Sequence, residues 1–349
     1  MVRNRLNCVS FLEWPAELNN RDRGIMRRIL SIDGGGIRGV FPAAFLASFE
    51  DELAGPIGSY FDLICGTSTG GIIAIGLALG LPARDILALY ETRGPEIFGQ
   101  DHTGIGGMLR RIGRTVRGGV LAPKYRPETL REALTETLGD RRLGDARTRL
   151  MIPAWHPPTR KVYIYKTAHH PRYAADYKIP AIDAALATAA APTFFPQHVG
   201  RDGIGLVDGG IWANNPVGYA VAEAIGALGW ERTELKVLSL SCLEDIFSTR
   251  DQYSKAGIAF DAVSFFMAGQ SHASLGMARI LTGDPHERIS IYRICQGVPD
   301  RFFSLDGTAR ISALKDRALV EAREQNPILA PVFFNQPAEP FSPHHILKG

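Results

Sequence analysis

Short apolar runs alternate with longer segments of helical periodicity along most of the chain. The runs RRILSID, YFDLICG and LKVLSLSC, which begin at Arg27, Tyr60 and Leu235, have the length and the apolar composition of buried strands. Between the first two, VFPAAFLASFEDEL has phenylalanines four residues apart and predicts a helix. This alternation predicts an α/β fold of three layers, in which helices cover both faces of a largely parallel central sheet.

The same alternation continues to about residue 242 and then changes character. Helical periodicity dominates afterwards, with RISIYRI as a candidate edge strand. The pattern therefore predicts three parts: an N-terminal segment at 1–25, a main domain at 26–242, and a C-terminal helical extension at 243–349 packed on that domain. A basic, glycine-rich insertion is expected within the main domain at about 93–126.

Composition places the chain among ordinary globular proteins, with 349 residues, 45% hydrophobic and 21% charged, and a net charge of only +3. Such a balance excludes a chain that binds nucleic acid polymers over its whole surface. The four cysteines are far apart and predict free thiols in a reducing compartment. The polar N-terminus and the lack of a run of about 18 apolar residues predict a cytoplasmic chain without a membrane-spanning helix.

Charge is concentrated in the insertion, where residues 93–126 contain seven basic side chains and two acidic ones. Two interpretations stay open for this segment. It is either a solvated loop or a surface that faces phosphate groups, of a lipid or of a nucleotide.

GTSTG at Gly66–Gly70 lies between a predicted buried strand and a predicted apolar helix. In that context the pattern G-x-S-x-G predicts a nucleophile elbow, a sharp turn that presents the Ser68 hydroxyl at a helix N-terminus. The alternative is that Ser68 or Thr67 only caps the helix.

A serine nucleophile needs a base, and Asp208 in GLVDGG is the best candidate because it ends a short apolar run. Asp33, Ser68 and Asp208 each end a predicted strand, and we expect them to converge at one edge of a parallel sheet. The alternative for Asp208 is an Asx-turn. The late histidines that a hydrolase triad would need are typical of surface positions: His286, His344 and His345.

The glycines of DGGGIRG also match a dinucleotide-binding loop, Gly-x-Gly-x-x-Gly, through Gly34, Gly36 and Gly39. That function needs an acidic residue at the end of the next strand, whereas the next predicted strand runs directly into Ser68. Bare glycine amides can instead donate to the oxyanion of an acyl-transfer reaction, and Arg38 could hold the loop or add positive charge.

These three motifs, in this order, together with AAAPTFFP at Ala189–Pro196, make the chain resemble the patatin-like phospholipases. The resemblance implies a Ser–Asp dyad, with Ser68 as nucleophile and Asp208 as base. It also implies an oxyanion hole formed by the N–H groups of Gly35 and Gly36, supported by Arg38. The glycines expected to support these motifs are Gly34, Gly39, Gly66, Gly70 and Gly209.

The resemblance implies hydrolysis of fatty acyl esters of membrane phospholipids, by peripheral contact with the inner face of the membrane. No cofactor or metal is expected, so hydrolysis should be independent of calcium. The chain also resembles bacterial antiphage effectors of this family, which implies activation by a cyclic dinucleotide such as a cGAMP-type molecule. We expect a homo-oligomer. The alternatives are an esterase or lipase that is constitutively active or regulated in another way, a nucleotide-binding module without catalysis, and a nucleotide-dependent oxidoreductase.

Overall fold

The computed structural model describes residues 26–99, 123–246, 255–284, 289–299 and 302–347, and only the backbone of 255–265. The predicted N-terminal segment at 1–25, most of the basic insertion at 93–126, and His286 lie outside the described residues.

The described part contains ten strands, and the apolar runs that begin at Arg27, Tyr60, Gly205, Leu235 and Arg288 each contain one of them. They are β1 (Arg27–Ile32), β2 (Leu63–Gly66), β3 (Arg149–His156), β4 (Lys161–Lys166), β5 (His198–Val199), β6 (Gly205–Asp208), β7 (Leu235–Leu240), β8 (Glu244–Ile246), β9 (Ile291–Ile294) and β10 (Gly297–Pro299).

The helices are α1 (Val40–Glu50), α2 (Thr69–Ala78), α3 (Ala83–Ile97), α4 (Pro127–Leu138), α5 (Ala181–Thr188), α6 (Gly210–Ala213), α7 (Val217–Gly226), α8 (Lys255–Thr282) and α9 (Ile311–Phe333).

One sheet of eight strands forms the centre of the molecule, in the order β5-β6-β3-β2-β1-β7-β9, with β4 also paired to β3. The pairings between β3, β2, β1, β7 and β9 are parallel. The pairings of β4 and β6 with β3, and of β5 with β6, are antiparallel. The sheet is therefore mixed, with a parallel centre and antiparallel strands at one side.

Successive strand residues point to opposite faces and enter two separate cores. In β2, Leu63 and Cys65 pack with α7, whereas Ile64 belongs to the larger core that includes α1, α2 and α5. In β3, Met151 likewise packs in the core that contains α7, and Ile152 packs in the larger core. Helices thus cover both faces of the sheet, which confirms the predicted three-layer α/β/α fold.

The C-terminal part is joined to this domain in two ways. Its strand β9 extends the sheet beside β7, at the edge where the sequence places an edge strand. Its long helix α9 lies against α1, and Phe334 just beyond it stacks on Phe49 at 4.9 Å between ring centroids. The described part of 243–349 is therefore not only helical, because it also supplies β8, β9 and β10.

Candidate active site

Ser68 occupies a sharp turn between β2 and α2. Its backbone has φ +56° and ψ −125°, a conformation that a residue with a side chain rarely adopts. The turn is so tight that a Cβ at Gly66 would lie 2.1 Å from the Gly70 carbonyl oxygen. A Cβ at Gly70 would lie 2.4 Å from the carbonyl oxygen of Asp33. Both glycines of G-x-S-x-G are therefore required by packing, and the turn leaves Ser68 partly exposed.

The Ser68 side chain lies close enough to the Asp208 carboxylate to favour its ionised form. Asp208 is 4% exposed and accepts the Gly210 N–H at 2.6 Å. Burial raises the pKa of Asp208 to about 6, although Ser68 and the Gly210 N–H both favour its ionised form. A carboxylate with this pKa is ionised near neutral pH and still basic enough to take a proton from a neighbouring hydroxyl.

The strand that ends at Asp208 runs in the opposite direction to the one predicted. This strand, β6, is antiparallel to β3, so Asp208 does not end a parallel strand beside Ser68. One edge of β3 pairs with β4 from Met151 to His156. The other edge pairs with β2, but only as far as Met151. β6 therefore occupies the edge that β2 leaves, where Asp208 pairs with Ala154 just beyond the β2 exit.

The glycine loop lies directly against this pair. The Gly34 N–H donates to the Asn214 carbonyl oxygen at 3.0 Å, and a Cβ at Gly34 would lie 3.1 Å from the Ser68 Cβ. Gly36 has φ +58°, and a Cβ there would be 2.0 Å from the Leu305 carbonyl oxygen. The loop thus needs glycine both for its conformation and for its close contacts.

The amides expected in the oxyanion hole are not all free in this structure. The Gly35 N–H donates to the Thr69 hydroxyl at 3.1 Å. The Arg38 guanidinium is bound by the Phe303 carbonyl oxygen and by both carboxylate oxygens of Asp245, at 2.9 and 3.1 Å. Arg38 therefore anchors the loop to the C-terminal part of the chain.

The end of β1 lies beside the turn at Ser68, as expected, but the Asp33 side chain is bound to the C-terminal part of the chain. Its carboxylate forms a two-point ion pair with Arg293 of β9, at 2.6 and 2.9 Å. The backbone of Asp33 still contacts the site, because its carbonyl oxygen packs against Gly70. The side chain instead ties the glycine loop to the edge strand.

The model of the patatin-like phospholipase family matches residues 30–221, more than half of the chain. The chain belongs to this family. The matched region runs from the glycine loop through Ser68 to Asp208 and includes every residue of the predicted dyad and oxyanion hole.

Two relatives named cGAMP-activated phospholipase show where the similarity extends. The one from Pseudomonas aeruginosa is 40% identical over 195 residues, which are 56% of this chain and 56% of that protein. The one from Vibrio cholerae is 37% identical over 238 residues, 65% of each. This patatin-like chain thus spans between about half and two thirds of the length of these relatives. Among solved structures, VipD from Legionella pneumophila is 15% identical with a TM-score of 0.49, over 89% of this chain and 67% of that one.

No histidine of the described residues bonds to Ser68 or Asp208 of this patatin-like chain. The side chain of His345 contacts the Pro171 carbonyl oxygen, and the His344 N–H donates to Ala168. His169 is buried, but it is bonded to Thr167 and Glu223.

Three further residues bond to the motifs of the site, although the sequence did not predict a role for them: Thr69, Thr188 and Asn214. Thr188 is a lone threonine in an alanine-rich helix, and such a residue gives no spacing signal. Asn214 follows the Asp208 motif in GIWANNP, where two adjacent asparagines before a helix are typical of a cap.

The described residues contain no group of three or more His, Cys, Asp or Glu side chains arranged to hold a metal ion. In the same ranges no helix is both long and apolar enough to cross a bilayer. Cys65 and Cys242 are buried free thiols, and Cys295 is an exposed one.

Proposed function

We propose that the chain is a serine hydrolase that cleaves fatty acyl esters of membrane phospholipids, with Ser68 as nucleophile and Asp208 as general base. The observation that carries this proposal is that Ser68 lies beside a buried carboxylate, Asp208, whose pKa burial raises to about 6. Membership of the patatin-like phospholipase family and the names of the relatives support the substrate class.

In the proposed first step, the Ser68 hydroxyl oxygen attacks the ester carbonyl carbon while its proton moves to Asp208. The tetrahedral intermediate then collapses, the bond to the lysolipid oxygen breaks, and the protonated Asp208 returns the proton to that oxygen. In the second step Asp208 takes a proton from water, whose oxygen attacks the acyl-serine ester. Collapse releases the fatty acid, and the proton returns to Ser68.

Each step places negative charge on the former carbonyl oxygen, which needs hydrogen-bond donors. The proposed donors are the N–H groups of Gly35 and Gly36, because the glycine loop lies against Ser68. The Gly35 N–H becomes available when it leaves the Thr69 hydroxyl, so the structure as it stands resembles a resting form. Arg38 supports the loop through its bonds to Asp245 and Phe303.

We further propose that a cyclic dinucleotide of the cGAMP type activates the chain, and that it acts as a homo-oligomer at the inner face of the membrane. The names of the relatives support the activator. A physical connection from the basic insertion to the loop also supports it. Tyr125, at the end of the insertion, donates to Asp306 at 2.7 Å, and the adjacent Leu305 carbonyl oxygen accepts the Ile37 N–H at 2.8 Å.

The test is mass spectrometry of the products released from phosphatidylethanolamine and phosphatidylglycerol vesicles, with and without cGAMP, each in the presence and in the absence of EDTA. We expect cGAMP-stimulated release of fatty acid that falls at least about a thousandfold in Ser68→Ala. Ser59→Ala is the matched control, because Ser59 is exposed and its hydroxyl donates to the Pro56 carbonyl oxygen. It should retain the full rate.

Three other outcomes are informative. Release that Ser68→Ala does not reduce contradicts the proposed hydrolase. Release that depends on Ser68 but is the same with every cyclic dinucleotide contradicts the activation and leaves a constitutively active enzyme. Release that EDTA abolishes contradicts the expected calcium independence.

A further inference from the structure

Thr188 is the last residue of α5 and is fully buried beside the nucleophile turn. Its hydroxyl oxygen accepts the Ser68 N–H at 3.0 Å and donates to the Pro153 carbonyl oxygen at 2.7 Å. The hydroxyl thus joins the backbone of the nucleophile turn to β3 through two hydrogen bonds.

The strand that Thr188 holds is the one that positions Asp208. Pro153 precedes Ala154, which pairs with Asp208 across the β3–β6 ladder. Gly209 also lies against Pro153, since a Cβ there would be 2.4 Å from the Pro153 carbonyl oxygen. The Thr188 hydroxyl therefore connects the backbone of Ser68 directly to the strand beside its base.

The conformation of Ser68 makes such a connection necessary. A residue with a side chain at φ +56° is strained, and strain of this kind persists only when the surroundings fix it. The partly buried Ser68 N–H would also lose this acceptor without Thr188, and an unpaired donor away from water is costly. The methyl group of Thr188 packs on α2, where a Cβ at Gly71 would be 2.7 Å from it.

We propose that Thr188 is a positioning residue for acyl transfer, whose hydroxyl holds the backbone of Ser68 so that its side chain stays beside Asp208. This inference rests on the proposed function of Ser68 and Asp208. Thr188 itself is fully buried, so it acts through the backbone of Ser68.

The test compares Thr188→Val, which keeps the shape and removes the hydroxyl, with Thr188→Ser, which keeps the hydroxyl and removes the methyl group. We expect kcat for phospholipid hydrolysis to fall about 30- to 100-fold in Thr188→Val with KM within about twofold, because a small misplacement of reacting groups has effects of this size. Thr188→Ser should keep kcat within about threefold of wild type.

The pH profile separates positioning from a general loss of structure. The neighbouring Ser68 side chain lowers the pKa of Asp208, so a displaced Ser68 should raise that pKa. The acid limb of kcat/KM should therefore move to higher pH in Thr188→Val. The control is Thr148→Val, since Thr148 is a buried threonine whose hydroxyl donates to the Gly58 carbonyl oxygen at 3.1 Å. It should leave both kcat and the acid limb unchanged.

Equal kcat in Thr188→Val and wild type overturns the proposal, and so does a lower kcat with an unmoved acid limb. A fall of kcat of about 30-fold or more in Thr188→Ser also overturns it, and this result remains measurable if the valine variant does not fold. The proposed function fails separately, when wild type shows no hydrolysis that depends on Ser68.

Discussion

Asp208 is a residue at which folding and the proposed chemistry have opposite requirements. Burial raises its pKa from an ordinary value of 3.8 to about 6, so the folded protein prefers the neutral carboxyl group. A group with a raised pKa contributes its stability at low pH, and this contribution is lost as the pH rises through about 6. At neutral pH the folded chain therefore contains an ionised carboxylate that weakens the fold and that the proposed mechanism requires.

Replacing this carboxylate with an amide should stabilise the protein while it removes the base. We expect Asp208→Asn to raise the free energy of unfolding by about 1 to 3 kcal/mol near pH 7.5, and by a small fraction of that near pH 4. Urea unfolding at the two pH values measures the effect. Asp316→Asn, at an exposed position of α9, should change neither value. An Asp208→Asn variant that is less stable than wild type at both pH values would contradict the assigned burial penalty.

The sequence identifies Ser68 and Asp208 as a pair because each lies in a motif with fixed glycine spacing. Thr188 and Thr69 have no such signal, because a hydroxyl that bonds to the backbone of a distant segment leaves no periodicity in the chain. Their roles become visible only when the turn at Ser68 is placed against α5 and the glycine loop.

At the scale of elements, the apolar runs predict which segments are strands but not the direction of a short strand such as β6. The four residues of β6 have the same pattern in either direction, so only its pairing with β3 shows that it is antiparallel. Ser68 and Asp208 lie close together as predicted, but not because two parallel strands end side by side. β2 ends early on β3 and leaves an edge that β6 fills.

The edge strand β9 is also part of the support for the glycine loop, through the ion pair of Arg293 and Asp33. Both side chains are nearly buried, with 10% and 5% exposure. Removing one partner of a buried pair leaves an uncompensated charge, so Arg293→Met should lower the free energy of unfolding by about 3 to 5 kcal/mol. Adding Asp33→Asn to it should recover at least about half of the loss.

The control for this ion pair is Arg84→Met. Arg84 pairs with Asp51 at the surface, where the two side chains are 62% and 67% exposed. An exposed pair contributes less than about 1 kcal/mol, so this variant should unfold almost as wild type does. Urea unfolding followed by tryptophan fluorescence measures all three variants. A loss in Arg293→Met no larger than that in Arg84→Met would show that β9 does not stabilise the loop through Asp33.

At the scale of the whole molecule, the alternation of strands and helices is enough to predict the three layers. Alternate residues of each strand divide between two cores, and only helices on both faces can complete them. The sequence does not show that the C-terminal part holds the glycine loop. Phe303, Leu305 and Asp245 contact the loop through backbone carbonyl oxygens and one carboxylate, and such contacts follow from the path of the chain rather than from any motif.

The central claim is that Ser68 is a nucleophile that Asp208 activates. The most direct measurement is the rate at which a fluorophosphonate forms a covalent adduct, mapped to its residue by mass spectrometry, with cGAMP present. We predict a single adduct on Ser68, with a rate that falls at least about a hundredfold in Asp208→Asn and is unchanged in Asp316→Asn. An adduct on another serine, or an equal rate in Asp208→Asn and wild type, would contradict the account.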